Sequence, residues 1–115
     1  MANTFKGVTK AGVTSADVIY TAGSVVTDIV LGLILGNTTT SQITSTVTLT
    51  SDTSSRAGAN DEANQAVELI TDAPIPAGSS LELLSGNKVE LETTDTISVT
   101  GSGGTDVALS IMEIT

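Results

Sequence analysis

The 115-residue chain has no histidine, no cysteine and no tryptophan, and it carries one phenylalanine, one tyrosine and two prolines. Missing imidazole and thiol excludes Ser-His-Asp and Cys-His arrangements and removes the groups that do most general acid–base and metal chemistry. Missing cysteine excludes disulfides, although a chain of this length buries enough surface to fold without them. With Phe5 and Tyr20 as the only aromatic residues, the core must be Val, Ile, Leu and Ala, and flat platforms for sugars or bases are scarce. Cations are also few. Lys6, Lys10, Arg56 and Lys88 stand against thirteen Asp and Glu, for a formal charge of −9. Four cations cannot neutralise many phosphates, so no nucleic-acid partner is expected. The same field repels anionic lipid, and no membrane partner is expected either. The longest apolar stretch, residues 25–35, is interrupted by Thr27 and Asp28 and falls short of the roughly twenty residues a spanning helix needs. Residues 1–6 lack the apolar segment of a secretory leader.

What the chain does have is alternation. In Ile43-Thr44-Ser45-Thr46-Val47-Thr48-Leu49-Thr50, Ile43, Val47 and Leu49 share one side and four threonines the other. Period-two patterning with β-branched residues is the mark of a half-buried strand. Strand candidates recur at residues 4–8, 17–22, 25–35, 43–50, 65–71, 79–84, 88–92, 95–100 and 106–114, separated by turn signals such as Gly36-Asn37 and Ser85-Gly86-Asn87. Gly101-Ser102-Gly103-Gly104 reads as a hairpin loop between the last two strands. Residues 60–70 also fit a short helix through Ala63, Ala66, Val67 and Ile70, with Pro74 and Pro76 ending either element. Together these signals predict a single all-β domain over residues 1–115. Its fold is an antiparallel β-sandwich, jelly-roll-like, with eight or nine short strands.

Two strands differ from the rest. Ile29, Leu31, Leu33 and Leu35 fall on one side of the third candidate, with Val30 and Ile34 on the other; Val107, Leu109 and Ile111 oppose Ala108, Met112 and Ile114 in the last. Strands apolar on both sides are buried on both sides, yet a two-layer sandwich has only one interior. The surplus face must meet a partner subunit or be covered by the chain's own loop 51–64 or N-terminal arm. The interface residues expected on this basis are Phe5, Val30, Ile34, Met112 and Ile114, with the arm, about residues 1–14, touching neighbours.

Chemistry is harder to place. No catalytic residue, metal ligand or cofactor is predicted, and the chain is not expected to be an enzyme. Asp52, Asn60, Asp61, Glu62 and Asn64 offer the hard oxygens Ca²⁺ prefers, but not at EF-hand spacing. Asp28 is the oddest residue, because burying it uncompensated is costly. It should lie at a strand end, or pair with Lys10 or with a neighbouring subunit's Arg56.

Several segments resemble small virion proteins of tailed bacteriophages, especially marine and cyanobacterial ones. They are Met1-Ala2-Asn3-Thr4-Phe5-Lys6, Tyr20-Thr21-Ala22, the run Pro74-Ile75-Pro76-Ala77-Gly78-Ser79-Ser80-Leu81-Glu82-Leu83, and the closing Leu109-Ser110-Ile111-Met112-Glu113-Ile114-Thr115. The 51–64 loop looks longer than in that group. The resemblance implies a β-sandwich structural subunit of the virion, assembled in the host cytoplasm. It would act foremost as a capsid decoration or cement protein, with copies of itself and the major capsid protein as partners. A neck, tail or fibre component is one alternative. A carbohydrate- or calcium-binding sandwich with its site in the loops is another.

Overall fold

Hydroxyl and β-branched residues in alternation leave the backbone extended, and turns fall where Gly, Asn and Asp interrupt them. A computed structural model of the chain describes residues 3–23, 27–51, 65–83, 89–92 and 94–114. Among these, nine strands form: β1 (Asn3–Val13), β2 (Ala16–Thr21), β3 (Thr27–Asn37), β4 (Ile43–Ser51), β5 (Gln65–Ile75), β6 (Ser80–Leu83), β7 (Val89–Leu91), β8 (Thr96–Gly101) and β9 (Thr105–Ile114). The first sheet runs β1-β9-β3-β6 with β7 also on β3, and the second runs β2-β8-β4-β5. Every pairing is antiparallel. β6 lies against residues 33–36 and β7 against residues 28–30, so the two act as one interrupted strand. With them merged, the order is that of an eight-stranded jelly roll.

The core lies between the two inner faces. Val30, Leu33, Leu35, Leu91, Leu109 and Ile111 from the first sheet meet Val47, Ile75, Ile97 and Val99 from the second, all almost fully buried. No aromatic ring is fully buried there; Tyr20 packs at its margin. Asn37 closes the end of β3 from inside. Its Nδ2 donates to the Ser41 and Ile75 carbonyls, and its Oδ1 accepts from the Thr39 N–H and hydroxyl. The Gly36-Asn37 signal is therefore a side-chain clamp on the turn that follows β3.

Three sequence expectations need correction. Gly101 to Gly104 is not a hairpin loop, because β8 and β9 lie in different sheets. The segment is a corner that carries the chain across the sandwich, and its glycines allow close approach to Val13 and Ile43. Pro74 does not end its strand: β5 runs through it to Ile75. As the outer strand of its sheet, β5 tolerates a residue with no N–H. The helical alternative fails for residues 65–70, which are strand; residues 60–64 lie outside the described residues, as does the loop 51–64 beyond Ser51.

A candidate assembly face

In an antiparallel sheet, residues opposite one another share a face, so the register identifies what the first sheet shows to the outside. Asn3, Ile114 and Thr27 form one row across it; Phe5, Met112, Ile29 and Glu90 form the next. Gly7, Ser110 and Gly32 follow, then Thr9, Ala108, Ile34 and Glu82. The middle of this face carries no charge, and Glu82 and Glu90 stand at one rim. Phe5 is 72 % exposed and Ile34 44 %, while Ile29, Leu31, Met112 and Ile114 are half-buried.

The second sheet shows what a solvent-facing surface of this chain looks like. Its outer side pairs Thr46 with Thr100, Thr48 with Ser98 and Thr50 with Thr96, polar β-formers in register. The first sheet's outer side also carries Asn3, Thr9, Thr27 and Ser110, but it sets Phe5, Ile29, Ile34, Met112 and Ile114 among them, whereas the second sheet's outer side shows Val18, 56 % exposed, among its hydroxyls. The first sheet's outer side is thus the more apolar of the two.

The apolar face is not flat. Gly7 and Gly32 point outward with nothing within 4 Å of the position a Cβ would take. Beside Gly32 a recess of about 240 Å³ opens between Ile34, Glu82, Ala108 and Ser110. A ridge of Phe5, Met112 and Ile29 runs alongside the row of small residues.

Of the five residues expected at an interface, Phe5, Ile34, Met112 and Ile114 lie on this outer face. Val30 does not. It is fully buried in the chain's own core, because the β3–β9 register shifts between Val30 and Gly32. Leu31 is the extra residue of a β-bulge, which turns Val30, Leu33 and Leu35 to one side and Ile29 and Ile34 to the other. Ile29 and Leu31 were therefore missed as outer-face residues. Gly32 was the available signal, since a glycine inside an apolar strand marks a bulge. From Asn3 onward the N-terminal arm is the edge strand β1, so it widens the face instead of covering it.

A polar cluster sits at one end of the interior. Asp28, the second residue of β3, is wholly buried and lies opposite Glu113 on β9 and Leu91 on β7. Tyr20 Oη donates to its Oδ2 at 3.0 Å, and its Oδ1 has no hydrogen-bond partner among the described residues. Lys6 Nζ lies 3.0 Å from Glu113 Oε2. Burial chiefly holds the Asp28 carboxyl above its usual range; the Tyr20 hydrogen bond opposes this, Glu113 adds to it and Lys6 reduces it. Burial first, and Asp28 second, also push Tyr20 upward, so its hydroxyl stays a donor. The strand-end position expected for Asp28 holds, but its partner is Tyr20. Lys10 pairs with Asp17 instead, at 3.6 Å, and Arg56 lies outside the described residues. So do Asp52, Asn60, Asp61, Glu62 and Asn64. Among the described residues no group of three or more acidic side chains is placed to hold a metal ion.

No protein-family model and no curated protein matches the chain. Among solved structures, a chain from Bacillus endospore appendages, described as a novel family of disulfide-linked pili, is similar over 99 % of this chain and 87 % of its own, with 15 % identity and a TM-score of 0.48. A chain from the infectious bursal disease virus Gx strain is similar over 98 % of this chain and 37 % of its own, with 10 % identity and a TM-score of 0.39. One comes from pili and the other from a virus. At this level of similarity only the course of the chain is compared, and the role of the outer face has to be read from its own residues.

Proposed function

We propose that the chain is a non-enzymatic structural subunit that works by packing the outer face of its first sheet against neighbouring subunits of a larger assembly. The observation that carries this reading is that face itself: an uncharged row of Phe5, Met112 and Ile29 across β1, β9 and β3, with Phe5 at 72 % exposure, in a molecule whose other outer face is mostly hydroxylated. The segments that resemble tailed-phage virion proteins supply the finer reading, a decoration or cement subunit on the capsid. Repetition by symmetry turns a modest contact into lasting attachment. The acidic rim at Glu82 and Glu90 stays in solvent or meets basic groups on the particle.

Quantitative mass spectrometry of purified particles tests the finer reading. A capsid decoration role predicts hundreds of copies per particle, on the order of the lattice's own subunit number. A dozen copies would place the chain in the neck or tail instead, and absence from particles would end the virion reading.

A further inference from the structure

The outer face of the first sheet holds both a knob and a hole. Phe5 stands out from the edge strand β1 at 72 % exposure. The recess of about 240 Å³ lies across the sheet beside Gly32, toward β6. We propose that this face is covered by a second copy of the same chain, in a two-fold dimer where the Phe5 ring of each copy seats in the Gly32 recess of the other. This rests on the reading of that face as an assembly surface and names its occupant.

Three observations select a second copy. Knob and recess lie on the same face at separate positions, so a single two-fold axis brings both pairs together; such self-complementarity is what an isologous contact requires. The recess is smaller than the roughly 300–1,000 Å³ of pockets that take whole small molecules, and it suits one side chain. Area agrees as well. Strands about 4.8 Å apart, each rising about 3.3 Å per residue, give this face roughly 600 Å² per copy. Two copies then bury about 1,200 Å², above the roughly 1,000 Å² expected of a specific interface.

Sedimentation velocity of the full chain over a wide concentration range tests the proposal. The wild-type chain should sediment as a dimer. Phe5→Ala, which removes the knob, and Gly32→Val, which fills the hole, should each weaken dimerisation at least about tenfold. Gly32→Val should fold, since no atom lies within 4 Å of the added Cβ. Val18→Ala, at a residue 56 % exposed on the other sheet, should leave the dimer intact. A wild-type chain that stays monomeric throughout, or a dimer indifferent to both substitutions, overturns the proposal. Copies found on particles despite a monomeric free chain would overturn the dimer alone and leave the structural role standing. A solution dimer missing from every particle would do the reverse.

Discussion

Replacing Gly101 by alanine is expected to lower the melting temperature by roughly 10 °C, from a loss of about 3 kcal/mol at roughly 4 °C per kcal/mol. A Cβ there would lie 2.6 Å from the Val13 carbonyl oxygen, 2.7 Å from Thr105 Oγ1 and 3.0 Å from the Gly103 carbonyl oxygen. None of these neighbours is a flexible side-chain tip. Val13 is paired with Thr105 at the end of the β1–β9 ladder, and Gly101 with Ser45 on β4. Thr105 is fully buried, and its hydroxyl lies 3.3 Å from both the Gly103 carbonyl and the Ser45 hydroxyl. An added methyl must therefore push apart the corner where the chain crosses between sheets. Gly7→Ala and Gly32→Ala are the controls: their added methyls meet nothing within 4 Å, and they should shift stability by about 1 kcal/mol at most. Thermal denaturation of the three variants side by side gives the answer. Gly101→Ala melting with the controls would contradict this account of the corner.

Asp28→Asn is expected to stabilise the protein at about pH 8 by about 1–3 kcal/mol, the cost of a buried polar group left short of partners. The carboxyl is wholly buried, its Oδ1 has no hydrogen-bond partner among the described residues, and its one bond comes from Tyr20. Because burial raises its folded-state pKa above the usual aspartate range, the folded chain, between the unfolded and folded pKa values, holds a proton that the unfolded chain has already released. Stability from this group is therefore full in acid and is lost as pH rises from about 4 through the raised pKa. Asparagine cannot ionise, so the advantage of Asp28→Asn should shrink toward about pH 4. Tyr20→Phe removes the one donor and should deepen the wild-type loss at high pH. Urea unfolding at both pH values decides the matter. A wild-type chain whose stability relative to Asp28→Asn is the same at both would show that Asp28 is ionised throughout without penalty.

The architecture was largely legible because alternation and turn residues are local. In β4, four threonines face out and Ile43, Ser45, Val47 and Ser51 face in, as the run itself reads. The bulges were harder to see, because a single extra residue inverts every side chain beyond it. Leu31 does this in β3, and Ile19 does it in β2, between Val18 opposite Ser98 and Tyr20 opposite Ile97. Strict alternation consequently sent Val30 outward and missed Ile29. Long-range choices were not legible either. Whether the glycines at 101–104 fold back as a hairpin or cross to the other sheet depends on which strands pair, and β9 finds β1 and β3 rather than β8. The excess of apolar residues in β3 and β9 was visible; the recess at Gly32 was not, since a missing side chain gains meaning only once its neighbours in space are known.

Hydroxyl-radical footprinting of Phe5 and Met112 tests the central claim most directly, comparing the native assembly with the dilute, dissociated chain. If the outer face of the first sheet is the surface on which subunits pack, both residues lose most of their reactivity on assembly while Val18, on the opposite sheet, keeps its own. Phe5 and Met112 reacting as fast in the assembly as in the free chain would mean that this face stays in water, contradicting the account.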